Sequence, residues 1–152
     1  MRPLYDSVGH LTRRLDQQVS LRFEGKMTGE RLTRTQFVLL IVAALAPGME
    51  QAEIAQLGSY DPATAGVVIS KLEARGLVRR ERSRRSRRGW IVEATPKGHA
   101  VIEERIAILD VLQNEVLSPL EPDERLVFLR LLSKLVRIGN SYNGEAGRSS
   151  PM

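Results

Sequence analysis

From Arg79 to Arg88 the chain reads RRERSRRSRR, seven arginines and one acid in ten residues. This window carries more positive charge than the +5 of all 152 residues, so the rest of the chain is close to neutral. The basicity is local, and a concentrated arginine patch is the electrostatic footprint of a polyanion partner. Leu77-Val78 before it and Trp90-Ile91-Val92 after it are strand formers. The pattern predicts a two-stranded β-hairpin with an arginine-loaded tip. A solvated charged loop is the competing reading.

The stretch before the hairpin argues for the first alternative. Asp61 is a helix-capping residue, Pro62 suits the first helical position, and Gly76 can take the left-handed C-terminal conformation. Ala65, Val68, Ile69 and Leu72 recur at helical spacing as one buried stripe. Pro62, Ala63, Gly66, Val67, Ser70 and Lys71 are then left outside, none of them bulky, which suits a helix pushed into a DNA groove. Thr64 can donate to a base or phosphate, and Ala63 and Val67 can meet a thymine methyl. The helix offers no Asn, Gln or Arg for bidentate base reading before Arg75, so specificity is expected to lean on methyl contacts and DNA shape. Mere exposure is the rival explanation for these positions. Gln51 to Leu57 forms a shorter helix upstream, stopped by Gly58, and the pair reads as a helix-turn-helix. Followed by a hairpin it becomes a winged helix. Within the wing, Arg82, Arg84, Arg85, Arg87 and Arg88 are expected to contact DNA, chiefly phosphate. Arg79 and Arg80 can equally lie on the strand in internal ion pairs.

The remaining segments are helical. Leu4, Val8, Leu11, Leu15, Val19 and Phe23 form a narrow apolar seam over 3–25 that a partner helix would cover. Thr33 and Gln36 have capping-box spacing and open the apolar run Phe37 to Leu45, a core helix. Thr95-Pro96 starts a long helix to about Leu117, and Glu121-Pro122 starts the last one, with Leu126, Leu129, Leu132, Leu135 and Val136 as its stripe. The Gly-, Ser- and Asn-rich residues 139–152 are expected to be disordered. On the polar side of the first helix His10, Arg14 and Gln17 share one face, where a carboxylate could be held; a solvated helix face is the plainer reading. Phe37 lies near the same region, with core packing as its alternative.

Composition narrows the function. With 42% hydrophobic residues the chain can build a core, and without cysteine it has no disulfide, thiolate metal site or thiol sensor. His10 and His99 are its two histidines. No nucleophile–base pair or phosphate-cradling glycine loop is evident, so neither an enzyme nor a cofactor is expected. The 5% aromatic content gives few stacking platforms for RNA. The chain lacks a membrane-length apolar run and an apolar signal-peptide core, which predicts a cytoplasmic protein without membrane association.

Taken in order, Gln51 to Leu57, Thr64 to Leu72, the run Leu72-Glu73-Ala74-Arg75-Gly76-Leu77-Val78-Arg79-Arg80, Arg87-Arg88 and Thr95-Pro96-Lys97-Gly98 resemble the MarR family of bacterial transcriptional regulators. The resemblance spans roughly residues 5 to 138. It implies a mainly α fold, a winged helix-turn-helix with a two-stranded wing, and a helical dimerisation region built from N- and C-terminal helices. The division would be one domain over 1–138, with 33–95 the DNA-binding lobe and 3–25 and 96–138 the dimerisation helices. It also implies a homodimeric regulator on a pseudo-palindromic operator in double-stranded DNA. The expected output is repression, released by a small anionic effector, an aromatic acid or related thioester, bound between lobe and dimer helices. A sequence-indifferent architectural DNA-binding protein is the alternative. One position departs from the family: an aspartate usually precedes the paired wing arginines, and Ser86 stands there instead. That acid normally braces the hairpin; its loss implies either an arginine freed for DNA or a looser wing in the free protein, unless Glu81 replaces it.

Overall fold

Side-chain caps fix where the helices begin. The computed structural model describes residues 5–26 and 32–136, so Leu4 and the expected tail lie outside the described residues. In chain order the elements are α1 (Val8–Lys26), α2 (Arg34–Leu45), α3 (Gln51–Leu57), α4 (Pro62–Ala74), β1 (Val78–Arg82), β2 (Trp90–Ala94), α5 (Pro96–Arg105), α6 (Ala107–Val116) and α7 (Pro122–Val136). At α2 the Thr33 hydroxyl accepts from the Gln36 N–H, while the Gln36 side chain accepts from the Thr33 N–H. Asp61 caps α4 by accepting the Thr64 N–H at 2.9 Å, and Thr95 caps α5 by accepting the Gly98 N–H at 3.1 Å.

Capping leaves packing to choose the faces. α2 is apolar nearly all round because it packs against α3, α4, α5 and β2. Phe37, Leu39 and Leu40 are fully buried there, joined by Ile54 of α3, Ala65, Ile69 and Leu72 of α4, and Val92 of β2. Burial of this kind supplies the main driving force, about 1.5–3 kcal/mol for each fully buried large aliphatic or Phe side chain. Val68, the fourth member of the predicted α4 stripe, is half-buried against the same core.

The turn from α4 into β1 depends on Gly76, whose φ is +69°. The Gly76 N–H donates to Glu73 and the Leu77 N–H to Leu72, the two bonds of a Schellman motif. The strands then pair antiparallel, from Val78 opposite Ala94 to Arg82 opposite Trp90. The connector before α3 joins this sheet by backbone: Val92 N–H donates to Met49 O at 3.2 Å, and Glu50 bridges to Ile91. The architecture is the expected one, mainly helical with a two-stranded wing.

One expectation needs correction. The helix after Thr95 is not continuous, because at Ile106 the ladder tightens: the Leu109 N–H takes the carbonyl three residues back, and α5 ends there. The α1 seam, which was expected to meet a partner helix, is mostly uncovered within this chain. Among its described residues Phe23 alone is buried, against the Phe37 ring at 5.9 Å, whereas Val8 and Leu11 are exposed.

The chain forms two compact units, dividing between Gln113 and Asn114 near the end of α6. The smaller one contains α7, opened by the Glu121 N–H donating to the Glu124 carboxylate at 2.8 Å. Leu126, Leu131 and Leu135 of α7 are exposed. Among the described residues no helix is long and apolar enough to cross a membrane, and no group of His, Asp and Glu could hold a metal ion.

Candidate nucleic-acid interface

The outer face of α4 is set by what its inner face buries. With Ala65, Ile69 and Leu72 in the core, Pro62, Ala63, Thr64, Val67, Ser70 and Lys71 are exposed. The tight turn between α3 and α4 places this face. Ser59 adopts φ 60°, a left-handed conformation unusual for a residue with a side chain, and the Tyr60 N–H donates back to Ala55. No sequence signal marked that residue.

Two α4 positions differ from expectation. Gly66 does not face outward: a Cβ there would sit 3.2 Å from the Gln51 amide nitrogen, so its missing side chain lets α3 approach α4. The Thr64 hydroxyl donates to Asp61 at 2.6 Å as part of the cap, which leaves its methyl and its lone pairs to the surface. The Thr64 hydroxyl, and after it the Thr64 N–H, hold the Asp61 carboxyl below its ordinary pKa. Arg75 lies at the far end of the helix as its C-cap, half-exposed.

The wing sorts its arginines by partner. Arg79 pairs with Glu93 at 2.6 Å across the strands, and Arg80 donates to Glu73 of α4 at 2.8 Å. Both are therefore engaged in ion pairs within the chain. Arg82 lies over the Trp90 ring, 4.1 Å from its centroid. Arg85, also expected to meet phosphate, stays 57% exposed but is engaged within the chain, donating to Glu53 at 2.8 Å and to the Gly48 carbonyl at 3.1 Å. Arg84, Arg87 and Arg88 are exposed and form no ion pair with any described residue.

The acid opposite Ser86 is Glu50, not Glu81. Ser86 Oγ donates to Glu50 at 3.2 Å, the Ser83 hydroxyl donates to the same carboxylate, and Arg85 Nε lies 3.9 Å from it. Glu81 instead faces Arg79 at 3.6 Å. The Glu50 N–H donates to Glu53 at 2.7 Å, and this bond, followed by the Arg85 contact, keeps the Glu53 carboxyl below its ordinary pKa. Read from sequence, this helix begins at Gln51 and Glu50 has no role, and no sequence signal reveals that the wing folds back onto it.

The chain is similar in sequence and fold to known proteins. The sequence profile of the MarR family matches residues 32–89. The transcriptional regulator HosA of Escherichia coli is 31% identical over 127 residues, which cover 84% of this chain and 93% of HosA. The chain belongs to the MarR family. Within it, the transcriptional repressor NicR of Pseudomonas putida is 30% identical over 131 residues, 86% of this chain and 83% of NicR. The solved structure of BpsR from Bordetella bronchiseptica, whose DNA binding is regulated by 6-hydroxynicotinic acid, superposes with a TM-score of 0.80 at 29% identity, covering 88% of this chain and 96% of BpsR.

The effector candidates of this MarR-family chain do not converge. Arg14 and Gln17 are exposed on α1, and His10 packs edge-on against Tyr5 with its Nε2 enclosed and without a hydrogen-bond partner among the described residues. Phe37 is fully buried among Phe23 and its core neighbours, so it is a core residue and presents no surface to a ligand. A cleft of about 480 Å³ opens elsewhere, lined by Asp16, Ser20, Glu24, Arg34, Tyr60 and their neighbours. There Arg34 donates to Asp16 at 2.6 Å and Ser20 at 2.7 Å, a tie between α1 and α2 that no sequence motif marked.

Proposed function

We propose that this protein is a homodimeric, sequence-specific DNA-binding regulator that acts as a repressor and is released by a small aromatic acid. One observation carries the DNA reading. A single core holds both α4, with its small exposed face, and a wing whose Arg84, Arg87 and Arg88 are exposed without an ion pair among the described residues. Pro62, Ala63, Thr64, Val67, Ser70 and Lys71 would enter the major groove, where methyl contacts and hydroxyl bonds read base edges. The wing arginines would take phosphate or a narrow minor groove. The exposed Val8 and Leu11 of the α1 seam, and separately the row Val127, Leu131 and Leu135 at four-residue spacing on α7, support dimerisation, since a contiguous apolar row along a helix marks a partner surface. Two α4 helices would then read half-sites about 34–36 Å apart.

The regulation of BpsR by 6-hydroxynicotinic acid supports an effector of the same class, with Arg14 supplying the cation for its carboxylate. Release follows by population shift: an acid that binds better to the DNA-incompetent lobe spacing draws the dimer toward it, and one binding both spacings equally does nothing. The test is selection of duplexes from a random pool, then titration of the bound complex with hydroxylated aromatic acids. We expect a pseudo-palindrome preferred about a thousandfold or more over random duplex, and release by at least one acid. Equal affinity for all duplexes would establish the architectural reading instead. Selective binding that no acid weakens would make the regulator ligand-independent.

A further inference from the structure

We propose that Glu50 is the positioning residue of the wing: its carboxylate clasps Ser83 and Ser86, holds the arginine loop against the start of α3, and so decides which arginines reach DNA. The inference rests on the DNA-binding reading above and adds a residue outside both the wing and α4.

The connector from α2 to α3 is pinned to β2 by the Met49 carbonyl and the Glu50–Ile91 bridge, which delivers the Glu50 side chain beneath the hairpin tip. There it is largely enclosed, 18% exposed. Two hydroxyls from opposite sides of the loop donate to it, and Arg85 approaches it while bonding Glu53 and Gly48 O. The fit is close enough to dictate a neighbour: a Cβ on Gly89 would lie 2.1 Å from Ser86 Oγ and 2.9 Å from the Glu50 carboxyl. Like charges crowded on a short loop repel one another, and an enclosed carboxylate opposite them offsets this repulsion. A wing held before DNA arrives loses less conformational freedom on binding, so the clasp raises affinity without touching DNA. It also uses Arg85 as the retaining cation, leaving Arg84, Arg87 and Arg88 exposed to solvent.

The experiment compares wild type with Glu50→Ala, and with the pair Ser86→Asp and Ser86→Asp/Glu50→Gln, in the full-length protein. Amide hydrogen exchange is read on the DNA-free protein at Ser83, whose N–H donates to Gly89 O, and at Gly89, whose N–H donates to Ser86 O. Binding to a selected duplex is read across a salt series. Glu50→Ala should speed exchange at Ser83 and Gly89 about tenfold or more while α2 and α4 amides keep their protection. It should weaken DNA binding about tenfold, with a salt slope that is unchanged or steeper by up to about 0.9 as Arg85 is released to phosphate. Ser86→Asp, which sets a second carboxylate against Glu50, should behave the same way, and the added Glu50→Gln should restore both readouts by moving the single negative charge across the clasp. Wing exchange and affinity unchanged in Glu50→Ala would overturn the proposal. So would tighter DNA binding in Glu50→Ala, which would make Glu50 a mere repulsive charge. If wild type selects no duplex, the functional reading fails, and the exchange data still decide the clasp.

Discussion

Arg82 and Trp90 face each other at the last register position of the hairpin, with the guanidinium carbon 4.1 Å from the ring centroid. The half-buried indole gives the first wing arginine a flat seat, and Arg80 approaches the same ring at 5.4 Å. With the guanidinium itself exposed to solvent, such a contact contributes about 0.5–1 kcal/mol. Trp90→Leu should therefore weaken DNA binding about two- to fivefold, and Trp90→Phe less, measured by fluorescence anisotropy of a labelled duplex. Equal affinity in Trp90→Leu would mean that Arg82 needs no seat.

The remaining wing arginines separate by salt dependence. Replacing Arg87 or Arg88 with Ala should lower the slope of log affinity against log salt by about 0.9 for each phosphate that the protein no longer neutralises. Arg85→Ala should leave the slope nearly unchanged, because that cation is held by Glu53 and Gly48 O. An equal fall in slope at Arg85 and Arg88 would show that the pairing of Arg85 with Glu53 breaks on DNA.

Gly98 tests the link between wing and helix α5. A Cβ at this buried position would meet the Leu77 carbonyl oxygen at 2.1 Å, and backbone at a strand start cannot retreat as a side-chain end can. Gly98→Ala should destabilise by about 1–3 kcal/mol or more, the range for overpacking, read as a lower urea midpoint. A wild-type midpoint would mean that α5 shifts freely.

The cap of α4 sets a pH dependence. The Asp61 carboxyl is held below its ordinary pKa by the Thr64 hydroxyl and then the Thr64 N–H. A depressed carboxyl stabilises the fold fully above its unfolded pKa and loses that contribution as pH falls through the folded value. Urea midpoints should thus decline on acidification below the ordinary carboxylate range, and the decline should be shallower in Asp61→Asn, which keeps an acceptor but cannot titrate. Parallel declines in the two proteins would assign the acid sensitivity to other groups, Glu53 first among them.

Local signals were legible because local chemistry writes them. Thr33, Asp61 and Thr95 cap as their neighbours require, Gly76 closes a Schellman turn, and the buried stripe of α4 follows its 3.6-residue period. Such features need only residues three to five positions apart. The wing's inner bonding was not legible, because Glu50 and Ser86 are thirty-six residues apart and no periodicity links them. Glu81 was the nearer acid in sequence, but its strand position turns it toward Arg79. Phe37 was ambiguous for a related reason: an aromatic at a helix start reads alike whether it lines a pocket or, as here, meets Phe23 in the core.

That core placement gives a separating pair of variants. Phe37→Ala should cost about 3–5 kcal/mol of stability, as for large aromatic deletions. Phe37→Leu, which keeps most of the volume, should fold and retain any response to an aromatic acid, whereas Arg14→Ala should lose the response and keep the stability. Isothermal titration with an aromatic acid that releases the wild-type protein from its duplex reads both. Loss of binding in a stably folded Phe37→Leu would return Phe37 to the ligand site.

The most direct measurement is a footprint of the purified protein on the DNA immediately upstream of its own gene. A dimeric, sequence-reading repressor should protect a pseudo-palindrome whose two half-sites lie about one helical turn apart, roughly 34–36 Å along the duplex, and protection should persist as random competitor is added. Diffuse protection that vanishes with modest salt would contradict that function, leaving a basic wing that grips phosphate without reading sequence.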